Sequence, residues 1–297
     1  MSGPLVRSPA MAAEPMQAGI RAKVEAAEIH RDPFPHVVVE DLLPEPFFRE
    51  LAATIPPIEY FKQAKNGRKA DLPMIATNRT FLGTPEEFRA TWGRLRDDVL
   101  HDTVAPVLAE RLRADVRDKF ADLFSPEIAD EVMTSDLVSS AGRIMLRKPG
   151  YKLGPHTDSA MYAITCLLYF TEADQEESGA LCLFRPERSP TLKHVSTYYP
   201  DEEEGIEAEV AKVVPIRENL FVAFVNGRHA LHGVRVDPGQ PSDHFRMTYQ
   251  AHIVLEHDPR KQVPSYLEDD RLADPAARER WQRYVVERRE AEAAAER

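Results

Sequence analysis

Two spacings of hydrophobic residues divide the chain into a helical part and a strand-rich part. Over residues 85–133, apolar residues recur every three or four positions, as in Phe88, Trp92 and Leu95. This spacing places them on one face of a helix and predicts helices that pack against a sheet. Thr84 precedes a proline and two glutamates and is expected to cap the first of these helices.

The second half of the chain carries the patterns of β-strands. Charged and apolar residues alternate over 143–147, whereas 162–170, 180–184 and 220–225 are nearly continuous apolar runs. A short apolar run is typical of a strand that is buried on both faces. A last strand is expected over 246–254. The chain is therefore predicted to be an α+β protein with a mainly β core, buttressed by helices.

Composition narrows the class of protein. The 297 residues are enough for one large domain with helical additions. The 38 basic and 49 acidic residues give a formal net charge of −11, which disfavours binding to nucleic acid or to anionic membranes. No run approaches the roughly 20 apolar residues of a membrane span. We expect a cytoplasmic protein in which Cys166 and Cys182, both in apolar runs, are buried and reduced.

Three residues form a candidate metal site. His156 and Asp158 are two positions apart in an extended context, so their side chains share a face and can meet at one ion. The third ligand is expected after the strand 220–225, where His229 and His232 compete. His232 is preferred, because Gly-Val follows it and leaves room for backbone near the site; His229 would then lie behind the ligands or face the substrate. Two histidines and a carboxylate on one triangular face are typical of non-haem iron(II) oxygenases.

A basic residue accompanies this site. Arg246 opens the last predicted strand, and Thr248, two positions on, shares its face. A buried guanidinium beside a hydroxyl is suited to hold a carboxylate through two hydrogen bonds. With Pro-Gly-Tyr before His156, His-Gly-Val from His232 and Arg-x-Thr from Arg246, in this order among the strands, the segment 143–255 resembles the 2-oxoglutarate- and iron(II)-dependent oxygenases, in their prolyl-hydroxylase-like branch.

The resemblance implies a fold, a set of ligands and a reaction. The fold would be a double-stranded β-helix, or jelly roll. His156, Asp158 and His232 would bind iron(II), and Arg246 would bind the far carboxylate of 2-oxoglutarate. With dioxygen, such an enzyme releases succinate and carbon dioxide and hydroxylates a C–H bond. The carboxylate at Asp158 favours hydroxylation over halogenation, whereas desaturation, cyclisation or epimerisation would use the same residues.

Three classes of function stay open at this stage. The leading one is hydroxylation of a small molecule, such as an amino acid or a natural-product or sugar intermediate. The second is hydroxylation of a residue in a protein. The third is a cupin-like metal-dependent isomerase or a non-catalytic binding module. Cupins usually have a metal-binding glutamate a few residues after a His-x-His, and this chain has Asp158 there and no acid before Glu172.

Arg147 departs from the pattern of the resemblance. Many related enzymes have at this place, three residues before Gly150, a tyrosine that contacts the cosubstrate. Arg147 is expected to hold a carboxylate of the substrate, to hold a carboxylate of 2-oxoglutarate, or to be an outward-facing strand residue. Among the remaining histidines, His36 is interpreted as structural, and His244 and His252 are weaker site candidates, with His252 on the same strand face as Arg246.

Four segments are predicted along the chain. Residues 1–30 are expected to be flexible or to form a short helix, and 31–138 to form a strand with the buttressing helices. The catalytic core would span 139–260, and a helical extension 261–297 would dock on the core or on another copy of the chain as a homodimer. Two stretches within these segments stand out for their composition and length. Residues 60–81 are basic in an acidic chain and form either a mobile loop that meets an anionic substrate or a solvated loop; 185–216 is a long insertion between strands.

Overall fold

The computed structural model describes residues 9–65, 67–159, 161–171, 179–187, 208–236, 239 and 245–256, together with separate helical positions from 275 to 293. Most of the insertion predicted for 185–216 lies outside the described residues, as does His244.

Helices occupy the N-terminal part of the chain. They are α1 (Pro9–Ala26), α2 (Glu45–Ala53), α3 (Arg79–Leu82), α4 (Glu86–Arg94), α5 (Ala105–Arg111), α6 (Arg113–Leu123) and α7 (Pro126–Val132), with a 3₁₀ turn at Ile58–Tyr60 and a π-helical segment at Leu95–Val104. The prediction of helices over 85–133 is therefore confirmed.

Two predictions for the N-terminal part need correction. Within the segment expected to be flexible or a short helix, α1 buries Ile20 and Val24, which are four positions apart and so lie on one face. The flexible alternative is wrong for residues 9–26.

Thr84 does not cap α4, because its hydroxyl donates to the carbonyl of Phe81 at 2.6 Å. Pro85 occupies the cap position with no side-chain hydrogen bond.

Twelve described strands account for the remaining regular structure. They are β1 (His36–Val39), β2 (Lys62–Gln63), β3 (Lys69–Pro73), β4 (Leu137–Ser139), β5 (Arg143–Arg147), β6 (Lys152–His156), β7 (Ile164–Tyr169), β8 (Leu181–Pro186), β9 (Ala208–Val214), β10 (Phe221–Val225), β11 (His232–Arg235) and β12 (Arg246–Leu255). Each of the five strands predicted from the second half of the sequence has its counterpart in β5, β7, β8, β10 or β12.

The described strands form two sheets in which every pairing is antiparallel. The larger sheet has the order β1-β10-β7-β12-β5-β3-β2, with β4 also paired to β12, and the smaller has the order β6-β11-β8-β9. From β5 onward the chain passes repeatedly between the sheets, so that β6, β8, β9 and β11 face β5, β7, β10 and β12. The predicted α+β class, with an antiparallel β core and helices, is confirmed.

The two faces of the larger sheet have different partners. One face carries buried residues such as Ile144, Leu168 and Tyr249, which belong to the same core as the helices. Trp92 of α4 joins them, with its ring centroid 6.0 Å from that of Tyr249. The alternate residues point the other way, toward the smaller sheet, where Leu167 packs with residues of β8. The candidate site lies on this second face.

Described positions at the C-terminal end dock on the helices. Trp281 is fully buried, and its ring stacks on Phe124 with 4.5 Å between centroids. Its indole Nε1 donates to the carbonyl of Leu123 at 3.4 Å. The end of the chain therefore packs on α6 of the same molecule. No helix in the described part of the chain is both long and apolar enough to cross a bilayer.

The cysteines are only partly as predicted. Cys166 is buried in β7, and burial raises the pKa of its thiol well above the usual range. Cys182 is only half-buried, because it alternates with Leu181 and Leu183, which face the larger sheet, and so lies on the outer face of the smaller sheet. No disulfide joins the two residues.

Candidate metal centre and its two cavities

The predicted metal ligands converge at one edge of the smaller sheet. His156 ends β6 and His232 begins β11, and the two are direct partners across this strand pair. Their ring centroids are 4.3 Å apart. Asp158 follows two residues after His156, and one ligand atom from each of the three residues lies within 4.8 Å of the others. The structure therefore brings together three side chains that are up to 76 positions apart in the sequence.

Both histidines are oriented by backbone carbonyls. Nδ1 of His156 lies 2.9 Å from the carbonyl oxygen of Gly154, and Nδ1 of His232 lies 3.0 Å from that of Ala230. Because a carbonyl oxygen only accepts hydrogen bonds, each Nδ1 carries the proton and each Nε2 keeps its lone pair. Nε2 of His232 is 3.8 Å from Oδ2 of Asp158. The tautomers are thus those of a metal ligand.

Asp158 is held by side chains from the larger sheet. Thr165 of β7 donates its hydroxyl to Oδ2 of Asp158 at 2.7 Å, and the amide of Gln250 lies 3.5 Å from the same oxygen. Nε2 of His252 is 3.4 Å away. These contacts fix the carboxylate between the two sheets.

The protonation states suit a divalent metal. Burial, with a smaller contribution from His232, lowers the pKa of His156 from 6.5 to about 4. Burial alone would raise the pKa of Asp158, but the close contact with His252 and the adjacent imidazoles outweigh it and hold the pKa below its usual range. At neutral pH His156 is therefore neutral and Asp158 is ionised, the forms that bind metal. Two nitrogen donors and one oxygen donor fit iron(II).

Gly233 explains how β11 comes so close to β6. A Cβ at this position would lie 2.5 Å from the carbonyl oxygen of Leu153 and 2.9 Å from that of Gly154. Only glycine leaves room for this approach, which sets the distance between the two histidines. The sequence argument that glycine makes room for backbone beside His232 is confirmed.

An inner cavity of about 80 Å³ extends from the metal ligands to Arg246. Arg246 is buried, and its guanidinium donates to the carbonyl of Gly179 at 2.6 Å, to the hydroxyl of Thr248 at 3.2 Å and to the hydroxyl of Tyr169 at 3.1 Å. Burial lowers the pKa of Arg246, yet arginine stays charged in proteins. Arg246 and Thr248 thus lie as the sequence predicts, with a fixed cation at the far end of the cavity.

Arg147 lies beside Arg246. The two residues are direct partners in the β5–β12 pair, and both side chains line the inner cavity. Arg147 is buried and donates to Oδ1 of Asp71 at 2.6 Å, and its guanidinium lies 5.1 Å from the ring centroid of Tyr151. The alternative of an outward-facing Arg147 is therefore wrong, because β3 pairs with β5 and covers it.

An outer cavity of about 470 Å³ opens on the other side of Asp158. Its walls come from the turn after β3, the loop between β4 and β5, the loop after β6, and β12. They include Ser140, Arg143, Thr157, Ser159, Tyr162, Gln250 and His252. The rings of Tyr162 and His252 stack with 3.9 Å between centroids. Asp158, Arg143 and Gln250 line both cavities and form the wall between them.

Sequence reasoning missed several of these residues. Gln250 shares the strand face of Arg246 and Thr248, so its spacing could have revealed it. Arg143 donates to Oε1 of Gln250 through Nε at 2.9 Å and Nη2 at 2.6 Å. This contact depends on the register of β5 against β12, about which the sequence pattern gives no information.

The other residues that the sequence suggested for the site lie away from the metal ligands or beside them. His229 is exposed and lines a third cavity of about 260 Å³ beside α6, so it neither supports the ligands nor faces this site. His252 does line the outer cavity. The basic stretch 60–81 is not one loop, because Lys69 belongs to β3 and lines the inner cavity.

Comparisons with known proteins give structural neighbours only. No protein-family model matches the chain, and no curated protein is similar to it. The solved structures that match include SnoN, a non-heme alpha-ketoglutarate-dependent epimerase from nogalamycin biosynthesis, at 16% identity, covering 83% of each chain with a TM-score of 0.42. HygX from Streptomyces hygroscopicus, with nickel, 2-oxoglutarate and hygromycin B bound, matches at 14% identity over 75% of this chain and 83% of that chain, with a TM-score of 0.44.

A prolyl-4-hydroxylase from Pseudomonas putida also matches, at 14% identity over 81% of this chain and 99% of that chain, with a TM-score of 0.38. Prolyl hydroxylases and 2-oxoglutarate-dependent enzymes are thus among the structures to which this chain is similar.

Proposed function

We propose that the chain is an iron(II)- and 2-oxoglutarate-dependent dioxygenase that hydroxylates a C–H bond of a small molecule and releases succinate and carbon dioxide. The observation that carries this proposal is the inner cavity, which has two histidines and an aspartate at one end and the buried guanidinium of Arg246 at the other. A metal site and a carboxylate site facing one small cavity are what a keto acid with a second carboxylate requires.

The connectivity of the strands supports the same proposal. Strands β5 to β12 pass between two antiparallel sheets at every step except β8 to β9, with β10-β7-β12-β5 in one sheet and β6-β11-β8-β9 in the other. We take this as a double-stranded β-helix, the fold that the sequence resemblance implies. Strands β1, β2 and β3 extend its larger sheet.

Each part of the cavity has a definite task in this proposal. His156, Asp158 and His232 would hold iron(II), and Thr165 and the two backbone carbonyls keep these ligands in the binding geometry. Arg246, with Thr248 beside it, would hold the far carboxylate of 2-oxoglutarate through charge-assisted hydrogen bonds. With dioxygen, the iron and the keto acid would supply the oxidising power for C–H hydroxylation. The buried walls keep water away from that chemistry.

The outer cavity supports a small-molecule substrate. Its volume of about 470 Å³ lies within the range of small-molecule sites, and its walls reach Asp158. A substrate bound there would place a C–H bond next to the metal ligands. Hydroxylation of a protein residue is the alternative, and peptide-dependent succinate release would favour it.

The test is anaerobic titration of the protein with iron(II) and then with 2-oxoglutarate, followed by screening of candidate substrates in air for succinate release and for products one oxygen heavier. We expect metal-dependent binding of 2-oxoglutarate that Arg246→Ala weakens by about 1.5 to 3 kcal/mol. Arg21→Ala, an exposed arginine on α1, is the control and should bind normally. If wild-type protein binds metal but not 2-oxoglutarate, the proposal is wrong, and a cupin-like metal-dependent isomerase or binding module becomes the better explanation of the site.

A further inference from the structure

The charges around the two cavities do not balance. Among the described residues, Lys69, Arg143, Arg147 and Arg246 line one or both cavities, and only Asp158 among the carboxylates does. One further carboxylate, Asp71, lies behind them, 2.6 Å from Arg147, 3.5 Å from Lys69 and 4.0 Å from Arg143. Four cations thus face two carboxylates, in a protein whose net charge is −11.

The proposed cofactor and cosubstrate do not remove this excess. Iron(II) carries two positive charges and 2-oxoglutarate carries two negative charges, so together they cancel. Among the described residues, an excess of two positive charges remains at the site after both have bound. Because unpaired charges in a partly buried cavity are costly, a ligand that supplies negative charge would be favoured there.

Arg143 is the cation best placed to meet that ligand. It is the only one of the four cations that lines the outer cavity, and 40% of its side chain is exposed. Gln250 accepts from its Nε and Nη2, which fixes the guanidinium in the wall, while Nη1 is 4.0 Å from the nearest carboxylate oxygen of Asp71. Arg246 and Arg147 lie deeper, in the inner cavity alone.

The geometry points to an organic anion as the substrate of the outer cavity, with its carboxylate or phosphate group bound by Arg143. This inference rests on the proposed function, because it places the substrate beside the same metal site. The remaining walls are neutral and suit the body of such a molecule: Ser140, Thr157 and Ser159 offer hydroxyls, and Tyr162, Pro73 and Ile75 offer apolar surface. Arg143 would therefore determine which small molecules enter.

The experiment compares acids with their uncharged amides. Phenylacetate and phenylacetamide, hexanoate and hexanamide, and phenyl phosphate are titrated by calorimetry into protein that is saturated with iron(II) and 2-oxoglutarate under anaerobic conditions. Without dioxygen there is no turnover, and saturation with 2-oxoglutarate keeps the acids out of the inner cavity. We expect the acids to bind roughly tenfold to a hundredfold more tightly than the amides, and the phosphate arm shows which oxyanion is preferred.

Variants of Arg143 then test whether this residue binds the anionic group. Arg143→Gln should remove the preference for acids. Arg143→Lys should keep part of this preference, because lysine retains the positive charge but lacks the planar guanidinium that binds an oxyanion through two hydrogen bonds. Arg21→Gln is the matched control, since Arg21 on α1 has a similar side-chain exposure of 45% and should leave the preference unchanged.

The outcomes separate the two proposals. If wild-type protein binds 2-oxoglutarate but binds acids no better than amides, the organic-anion inference is wrong while the proposed function stands. A preference for acids over amides that persists in a folded Arg143→Gln variant also overturns the organic-anion inference. Failure of wild-type protein to bind 2-oxoglutarate overturns both. The comparison of acid with amide uses wild-type protein alone, so it gives a result even if Arg143→Gln does not fold.

Discussion

At the scale of single residues, a metal ligand is distinguished from an ordinary buried histidine by what its two ring nitrogens contact. His156 and His232 each place Nδ1 on a backbone carbonyl, and Nε2 of His232 lies 3.8 Å from Oδ2 of Asp158. His36 instead uses both nitrogens on the protein itself, 2.8 Å from the carbonyl of Phe34 and 3.0 Å from Nζ of Lys212. His36 is therefore structural, as its sequence context suggested. The difference leads to separate predictions for the two kinds of histidine.

Replacing any one metal ligand should remove metal binding. Loss of a group that merely supports a ligand costs about 10- to 100-fold in metal affinity, so loss of a ligand itself should cost more than about 100-fold. We expect this of His156→Ala, Asp158→Ala and His232→Ala in anaerobic iron(II) titrations. His229→Ala should bind iron normally. The opposite result for His229 and His232 would show that the third ligand is misassigned.

Thr165 should tune the metal site without being a ligand. Its hydroxyl is 2.7 Å from Oδ2 of Asp158, and Thr165→Val keeps the shape of the side chain while it deletes this hydrogen bond. We expect iron(II) affinity to fall by about 10- to 100-fold. Thr103→Val is a matched control, because that buried hydroxyl donates to the carbonyl of Asp98 at 2.7 Å, away from the site. Equal affinities for the two variants would exclude a supporting role for Thr165.

His36 should make the stability of the metal-free protein depend on pH. Burial lowers the pKa of His36 from 6.5, helped by the nearby ammonium of Lys212. Below pH 6.5 the unfolded chain therefore binds more protons than the folded protein, and the free energy of unfolding falls as the pH decreases. The slope is at most about 1.4 kcal/mol per pH unit. Urea unfolding measures this free energy for wild type and His36→Asn from pH 7 downward. We expect it to fall more steeply with decreasing pH in wild type than in His36→Asn. The same pH dependence in both proteins would contradict a role for His36.

At the scale of elements, β11 depends on the absence of a side chain at Gly233. An alanine there would bring its Cβ to 2.5 Å from the carbonyl of Leu153, so β6 and β11 would have to separate. We expect Gly233→Ala to lower the free energy of unfolding by about 1 to 3 kcal/mol and to weaken iron binding, because it moves His232 away from His156. Gly93→Ala, at a glycine in α4 with open space around it, should leave iron binding intact.

The sequence predicts elements better than it predicts which elements meet. The apolar runs of β7 and β10 define strands, and the spacing of His156 and Asp158 defines two of the three metal ligands, because these features are local. The pairing of β3 with β5 is not local: it brings Asp71 within 2.6 Å of Arg147, and no periodicity encodes a register between segments so far apart. The same holds for Arg143 and Gln250.

At the scale of the whole molecule, the helices connect the end of the chain to the metal site. Lys119 of α6 donates to the carbonyl of Tyr162, and Asn226 donates to the carbonyl of Ser159, so both hold the loop that follows Asp158. The far end of α6 carries Phe124, on which Trp281 stacks. The helical layer thus supports the outer cavity from behind and is itself covered by the C-terminal positions.

This arrangement predicts that Trp281 contributes to stability but not to the geometry of the metal site. Removing its buried ring should lower the free energy of unfolding by about 3 to 5 kcal/mol, because the truncation leaves a cavity beside α6. Val286→Ala, at an exposed apolar position of the same region, is the control and should change stability by less than about 0.5 kcal/mol. Urea unfolding measures both, and iron(II) titration of the folded Trp281→Ala variant should give the wild-type affinity. A variant that stays stable, or that folds but loses iron, would contradict a purely stabilising role for Trp281.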